Sequence, residues 1–150
     1  MTVEDELAIR NLIGRVAWLQ DQWTSTDEYV QNFTKDCAWK SDSGQVQSGH
    51  QGLAGRLRHA LEAGIAGPGI PSRHCITSLE VIPDTTDANK ATARSYVLMV
   101  GVDGDGPQIM AYTDYVDNVR REDGVWQIAE RLSKSRQMRA DLQPKPPSKA

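Results

Sequence analysis

The second half of the chain carries four β-rich runs, and this feature constrains the fold more than any other. Short segments rich in Asp, Gly and Pro separate the runs, and their chemistry is that of hairpin turns. The runs are Cys75–Ile82, Ala91–Val102, Gln108–Arg121 and Val125–Ser133. Because consecutive hairpins join neighbouring strands, the pattern predicts a curved antiparallel sheet.

The first segment of the chain has a helical pattern. Apolar residues recur at spacings near three and four from Val3 to Leu19, and Thr2 and Asp5 are placed like a capping box. This pattern predicts an amphipathic helix that ends near Gln20.

Shorter elements are expected between this helix and the β-rich half. A second helix is predicted from about Asp27 to Phe33, and strands are predicted at Cys37–Lys40 and Gln45–Ser48. A third helix is marked by apolar residues at helical spacing, namely Leu53, Leu57, Ala60 and Leu61. The glycine- and proline-rich segment Ala63–Pro71 is expected to be a loop at the rim of a pocket.

Helices followed by a long-stranded sheet indicate the α+β class. We expect a cone-shaped α+β barrel, in which three N-terminal helices pack on a strongly curved, mixed or antiparallel sheet and enclose a pocket. One domain is expected over residues 1–137. A flexible tail is expected at 138–150, since that segment has too few apolar residues to fold alone.

The charge balance argues against two classes of partner. The net charge is −3 and the basic residues alternate with acidic ones, so no nucleic acid is expected to bind. No apolar run approaches the ~20 residues that cross a bilayer, and the acidic N-terminus is unlike a signal peptide. We therefore expect no membrane partner and a cytoplasmic protein.

Metal and cofactor motifs are missing from the sequence. Cys37 and Cys75 lack ligand spacing, so buried free thiols are expected rather than a zinc site. Patterns for binding dinucleotides, nucleotide phosphates or catalytic zinc are also absent. We expect neither a metal nor a cofactor.

Three segments resemble one known family. Tyr115–Arg131 resembles the closing hairpin of the SnoaL-like branch of the nuclear-transport-factor-2-like superfamily, with its Arg-Arg, Asp-Gly and Trp pattern. Asn32–Trp39 and Arg73–Thr77 resemble two further motifs of that family. The resemblance runs from about residue 5 to 135 and implies the cone-shaped fold described above.

The resemblance also implies catalytic residues. The nearest branch contains scytalone dehydratase and γ-hexachlorocyclohexane dehydrochlorinase, which use a His–Asp dyad with an arginine nearby. Their aspartate, histidine and arginine correspond to Asp21, His74 and Arg131. The interval from Asp21 to Trp39 is about one residue longer than the family pattern, so Asp27 remains an alternative for the carboxylate.

The chemistry of these side chains fits the implied roles. An imidazole titrates near neutral pH and serves as a general base, and a carboxylate on its other nitrogen would orient it. A guanidinium would stabilise the negative charge on a departing group. Each residue also has a structural alternative: His74 could be a core histidine, Asp21 a helix-end residue, and Arg131 a solvated ion-pair partner.

Strand alternation near the C-terminus gives partial guidance on which side chains face inward. It places Trp126, Ile128 and Leu132 on one face of the last strand and Arg131 on the other. Several large side chains could line a pocket for a ring-shaped ligand, or could equally be ordinary core: Trp18, Trp39, Tyr96, Met99, Met110 and Tyr115. Trp18 is the preferred pocket wall, because it precedes Asp21 by three residues.

Two functions are therefore expected. The first is a cofactor-independent lyase or isomerase of dehydratase, dehydrohalogenase or cyclase type, acting on a small hydrophobic cyclic or polyketide-like molecule. The second is a non-catalytic ligand-binding module or a small structural subunit of a ring-hydroxylating dioxygenase. Under either function we expect a homo-oligomer, a dimer or trimer.

Overall fold

The computed structural model describes residues 1–138, with the backbone alone at 103, 137 and 138. In this part of the chain the helices are α1 (Val3–Gln22), α2 (Thr26–Val30) and α3 (Gly49–Glu62). The strands are β1 (Phe33–Ser41), β2 (Val46–Ser48), β3 (Ser72–Pro83), β4 (Lys90–Asp103), β5 (Gly106–Glu122) and β6 (Val125–Met138). The predicted α+β class is confirmed. The predicted tail lies outside the described residues from 139 onward.

The strands form one mixed sheet in the order β2-β1-β6-β5-β4-β3. Strands β3 to β6 are joined by consecutive antiparallel pairings, as the turn chemistry predicts, and β1 adds to β6 in parallel. The sheet formed by the described residues is open, with β2 and β3 at its edges. The predicted combination of three helices with a mixed sheet is confirmed, but the strands do not close into a barrel, and the enclosed pocket stays a prediction.

Helix α2 is shorter than the sequence pattern suggests, because a side chain ends it. The Asn32 amide donates hydrogen bonds to the carbonyls of Glu28 and Tyr29, which would otherwise bind the next turn of helix. Phe33, predicted as the last helical residue, instead begins β1.

The core lies between the helices and one face of the sheet. Alternate residues of β4 and β5 point to this face and are buried, including Ala93, Val97, Tyr115 and Val119. The apolar stripe of α1 covers them with Ile9, Leu12, Ile13 and Val16. No helix among residues 1–138 is both long and apolar enough to cross a membrane.

The N-terminal cap of α1 also ties the helix to the closing hairpin. The predicted capping box is present, with Asp5 and Thr2 exchanging side-chain and backbone hydrogen bonds. The same carboxylate accepts hydrogen bonds from the Arg121 guanidinium at 2.6 Å and the Trp126 indole at 3.0 Å. These bonds, led by the one from the Thr2 backbone, hold the pKa of Asp5 below its usual range.

Replacing this carboxylate is expected to destabilise the fold in a pH-dependent way. Because the folded-state pKa of Asp5 is depressed, its contribution is present above the unfolded pKa and is lost as the pH falls through the folded value. Asp5→Asn should therefore lower the Tm at pH 7, and the difference from wild type should shrink below about pH 4. Thermal unfolding monitored by circular dichroism checks this. Glu4→Gln, in the same turn, is the control, and an equal loss of Tm in both variants would contradict the role of Asp5.

Candidate active site

His74 and Asp21, which are 53 residues apart in sequence, meet in the structure through two hydrogen bonds. The Nδ1 atom of His74 lies 2.6 Å from Oδ1 of Asp21, and the backbone N–H of His74 donates to Oδ2 at 2.7 Å. The two side chains are only 9% and 4% exposed. Asp27, the alternative carboxylate, is an exposed residue of α2. The structure therefore pairs His74 with Asp21.

Matching lengths of helix and strand bring the pair together. Helix α1 lies along β3, and near its middle Arg10 donates a hydrogen bond to the carbonyl of Leu79. From Arg10 to Asp21 the helix rises about 16 Å, while the strand from Leu79 back to His74 extends about 17 Å. The two elements run in opposite directions, so the end of α1 arrives at His74.

The edge position of β3 explains why a carboxylate binds at this point. A strand at the edge of a sheet has backbone N–H groups with no partner strand. The N–H of His74 is one of those groups, because β4 is the one described strand that pairs with β3, and Asp21 accepts its hydrogen bond. The carboxylate is thus fixed by the backbone and the ring of the same residue.

These contacts determine where the ring proton lies. A carboxylate accepts hydrogen bonds, so Nδ1 carries the proton and Nε2 keeps its lone pair in the neutral ring. The Gln20 amide nitrogen lies 2.9 Å from Nε2 and donates to that lone pair. The neutral His74 ring is therefore held in one tautomer between two side chains from the end of α1.

Arg131 lies elsewhere in the interior, in a buried ion pair. Its Nε and Nη2 atoms donate to the two oxygens of Asp117 at 2.6 and 2.8 Å, and both side chains are 1% exposed. Burial disfavours the charged guanidinium, but the attraction and hydrogen bonds of Asp117 outweigh it and hold the pKa of Arg131 above its usual range. The alternative of a solvated ion pair is wrong, because both partners are buried.

A β-bulge turns Arg131 to the inner face. The register between β5 and β6 shifts between Asn118 and Val119, which leaves Ala129 without a partner on β5. The extra residue reverses the alternation of the strand beyond it. Arg131 therefore shares the buried face with Ile128, whereas uninterrupted alternation would separate them.

Aromatic rings surround the Arg131 guanidinium. It lies 4.3 Å from the ring centroid of Tyr115 and 5.0 Å from that of Trp39. The Arg56 guanidinium lies 4.0 Å from the centroid of the same Trp39. The hydroxyl of Tyr29 is buried nearby, and no residue in the described part of the chain forms a hydrogen bond with it. Burial raises the pKa of the Tyr29 phenol, and the positive charges of Arg131 and Arg56 oppose that rise.

The structure does not place Arg131 in contact with His74. His74 is opposite Met99, which is opposite Ala111 on β5, whereas Arg131 is opposite Asp117 on the same strand. The two sites are thus six residues apart along β5. The sheet surface between them carries Val97, Thr113 and Tyr115.

The six residues expected to bind substrate divide into two groups. Trp39, Met99 and Tyr115 are buried on the inner face. Met110 is half-buried, with its side chain packed over the α-carbon of Gly101. The other two, Trp18 and Tyr96, lie outside this face and are 64% and 49% exposed, so their contact with substrate stays a prediction.

The geometry of helix α1 and strand β4 explains why Trp18 and Tyr96 face away from the core. On α1 the buried stripe includes Val16, Ala17 and Gln20, and Trp18 is rotated about 100° from Ala17. On β4 the inner positions are odd-numbered, so Tyr96 points outward, where its ring packs against Tyr112. Cys75 on β3 is also exposed, unlike the expected buried thiol, whereas Cys37 is buried.

The loop between α3 and β3 borders a depression next to the dyad. Its volume is about 430 Å³, and it is lined by Asp21, Trp23 and Arg73 together with the loop residues from Pro68 to Pro71. The loop was expected at a pocket rim, and the structure places it beside one member of the dyad.

Comparison with known proteins identifies the family. The model of a SnoaL-like domain matches residues 1–132, which is most of the chain. The chain belongs to the SnoaL-like family. The resemblance seen in the motifs is thereby confirmed, and the pairing of His74 with Asp21 occurs within a SnoaL-like domain.

Solved structures share the fold of this SnoaL-like protein. A protein of unknown function with a cystatin-like fold from Nostoc punctiforme has a TM-score of 0.74 and 22% identity, over 90% of this chain and 93% of its own. An NTF2-like protein from Novosphingobium aromaticivorans has a TM-score of 0.73 and 21% identity, over 95% and 91%. A provisionally assigned scytalone dehydratase from the same species has a TM-score of 0.74 and 19% identity, over 99% and 96%. No curated protein sequence matches the chain. At these identities the structures establish the fold alone.

Three polar residues of this SnoaL-like domain did not emerge from the sequence. Gln20 contacts the His74 ring, while Tyr29 and Arg56 approach the aromatic group around Arg131. Gln20 carries a usable signal, because it continues the buried stripe of α1 with a polar side chain. Tyr29 and Arg56 look like an ordinary core aromatic and a surface arginine in the sequence.

The tautomer of His74 is expected to depend on Asp21. In Asp21→Asn one of the two donors on His74 would face an N–H₂ group rather than an oxygen, so the variant should lose about 1–3 kcal/mol of stability. The proportion of the Nδ1–H tautomer should also fall. Nitrogen-15 NMR of the histidine rings measures the tautomer, and Asp27→Asn is the matched control. An unchanged tautomer in Asp21→Asn would contradict the assignment.

The buried ion pair is expected to behave differently in single and double variants. Arg131→Met leaves Asp117 buried and unpaired, which should cost roughly 3–5 kcal/mol of unfolding free energy. Adding Asp117→Leu removes the unpaired charge, so the double variant should recover much of that loss. Urea unfolding measures both. A double variant less stable than Arg131→Met would show that the pair is not the source of the effect.

Proposed function

We propose that this SnoaL-like protein is a cofactor-independent lyase or isomerase, of dehydratase, dehydrohalogenase or cyclase type. Its substrate is a small hydrophobic cyclic or polyketide-like molecule. The observation that carries the proposal is the buried contact between His74 and Asp21, which leaves Nε2 as the basic atom. The family includes polyketide cyclases and dehydratases, which supports the same class of reaction.

In the proposed mechanism His74 is the general base. Its Nε2 atom takes a proton from a carbon of the substrate, and Asp21 stabilises the resulting imidazolium through Nδ1–H. The imidazolium then returns the proton to a departing hydroxyl group or to another carbon of the substrate. Because both side chains are largely shielded from water, their interaction is stronger than it would be at the surface.

Arg131 is proposed as an electrostatic helper rather than a second base. Two of its nitrogens bind Asp117, and Nη1 forms no hydrogen bond with the described residues. An N–H group fixed in this way can stabilise an enolate or carbonyl oxygen without rearrangement. Trp39, Met99, Tyr115 and Met110 would supply the apolar surface for the ring of the substrate.

A non-catalytic function remains the second candidate, and one observation favours it. The lone pair of Nε2, which a base needs, accepts a hydrogen bond from Gln20. A ligand-binding module, or a small structural subunit of a ring-hydroxylating dioxygenase, would keep that contact permanently. An enzyme must release it when substrate arrives.

Removing the imidazole tests the proposed function directly. For any hydroxylated or halogenated ring compound that the wild type converts, His74→Ala should lower kcat by roughly 10²–10⁴-fold, since general base catalysis contributes that much. Product formation followed by chromatography and mass spectrometry measures the change.

His59→Ala is the matched control, because His59 is an exposed histidine of α3. It should leave kcat unchanged. Equal turnover by His74→Ala and wild type would show that the histidine has no part in the mechanism. If the wild type converted none of the hydroxylated and halogenated ring compounds tested, the non-catalytic candidate would be favoured.

A further inference from the structure

The Gln20 side chain is held beside the base with half of its amide unsatisfied. Its nitrogen donates to Nε2 of His74 at 2.9 Å, but its oxygen is buried and has no hydrogen-bond partner among residues 1–138. The residue is 7% exposed, so little water is available to that oxygen. A buried carbonyl oxygen without a donor is energetically unfavourable.

The position of this amide limits what can approach the base. A neutral imidazole has one lone pair, on Nε2, and the Gln20 amide occupies its direction. A ligand whose C–H group is to reach Nε2 must displace the amide. Displacement leaves the N–H₂ group without its acceptor, in addition to the oxygen that already lacks a donor.

We propose that Gln20 is a specificity-determining residue, which makes the His74 site select ring compounds with a hydroxyl group beside the reacting carbon over halogenated rings of the same shape. The inference rests on the proposed function and narrows its substrate class. A hydroxyl group can donate to Oε1 and accept from the amide N–H₂ group, so it satisfies both halves of the displaced side chain. A carbon-bound chlorine donates nothing and is a poor acceptor, so both halves would stay buried and unpaired.

The selectivity for a hydroxyl group thereby follows from the free-energy cost of leaving the Gln20 amide buried without hydrogen bonds, and not from the shape of a pocket. Sites built to bind a hydroxyl reject analogues that lack it much more strongly than apolar pockets reject an added hydroxyl. Among the reactions proposed above, this selectivity favours reactions of hydroxylated rings, such as loss of water, over loss of a halide.

The test uses a pair of probes that differ in one substituent, cyclohexanol and chlorocyclohexane. Dissociation constants are measured by NMR titration of the wild type, Gln20→Leu and Gln51→Leu. Gln51 is an exposed glutamine of α3, away from the dyad, and serves as the control. The ratio of the two dissociation constants in each protein cancels the general difference in hydrophobicity between the probes.

The expected result is a change in selectivity confined to one variant. Gln20→Leu should shift the ratio at least about fivefold in favour of chlorocyclohexane, since the penalty for an unpaired amide disappears. Gln51→Leu should keep the wild-type ratio. In the ligand-free protein, Gln20→Leu should also move the nitrogen-15 resonance of His74 Nε2, which a merely structural change elsewhere on α1 would not do.

Three results would overturn the inference. They are an unchanged ratio in Gln20→Leu, an unchanged Nε2 resonance in that variant, and no binding of cyclohexanol to the wild type. None of these readouts requires turnover. If His74→Ala turned over substrate as fast as the wild type, the proposed function would be rejected and the selectivity result would still stand. An unchanged ratio of dissociation constants in Gln20→Leu would reject only the role of Gln20.

Discussion

The carboxylate of Asp21 bridges two N–H groups of one residue, and the candidate site depends on this interaction. The ring contact fixes the tautomer of His74, and the backbone contact anchors the carboxylate at the edge of the sheet. The edge strand needs an acceptor there for its free N–H group, so the same bond contributes to folding and to chemistry. The fold places the acceptor by matching the rise of α1 to the length of β3.

The interior beyond the dyad is more polar than its apolar lining suggests. Arg131 and Asp117 form an ion pair that is buried on all sides by core side chains, and removing water from two charges is costly. The buried ion pair between Arg131 and Asp117 is tolerated because two hydrogen bonds and the surrounding aromatic rings compensate for the lost hydration. Such a preorganised guanidinium inside a sheet is a poor source of stability but a suitable group to meet negative charge that develops on a ligand.

Much of the architecture could be predicted from the sequence, because turn chemistry and apolar spacing are local signals. The capping box at Thr2 and Asp5 is a clear case. The pairing of His74 with Asp21 was implied only by resemblance to a family, since nothing local connects positions 53 residues apart.

The features that the sequence does not predict depend on contacts between distant parts of the chain. The side chains around Tyr96 alternate between the two faces of β4 as expected for a strand, but the sequence does not show which face is buried. The bulge at Ala129 reverses the alternation before Arg131, and no residue pattern marks it. The short sequence distance to Asp21 favours Trp18 as a pocket wall, whereas its angle around the helix places it outside the buried stripe. Whether a curved sheet closes is also not a local property, because pairing between its distant edges cannot be inferred from hairpins.

Hydrogen exchange tests most directly whether Nε2 of His74 removes a proton from carbon, and it does not need the natural substrate. Cyclohexanone in D₂O exchanges the protons beside its carbonyl when a base abstracts them, and deuterium uptake is measured by mass spectrometry. The wild type should accelerate this exchange, and His74→Ala should not. Equal exchange with the two proteins would contradict the role of His74 as a base.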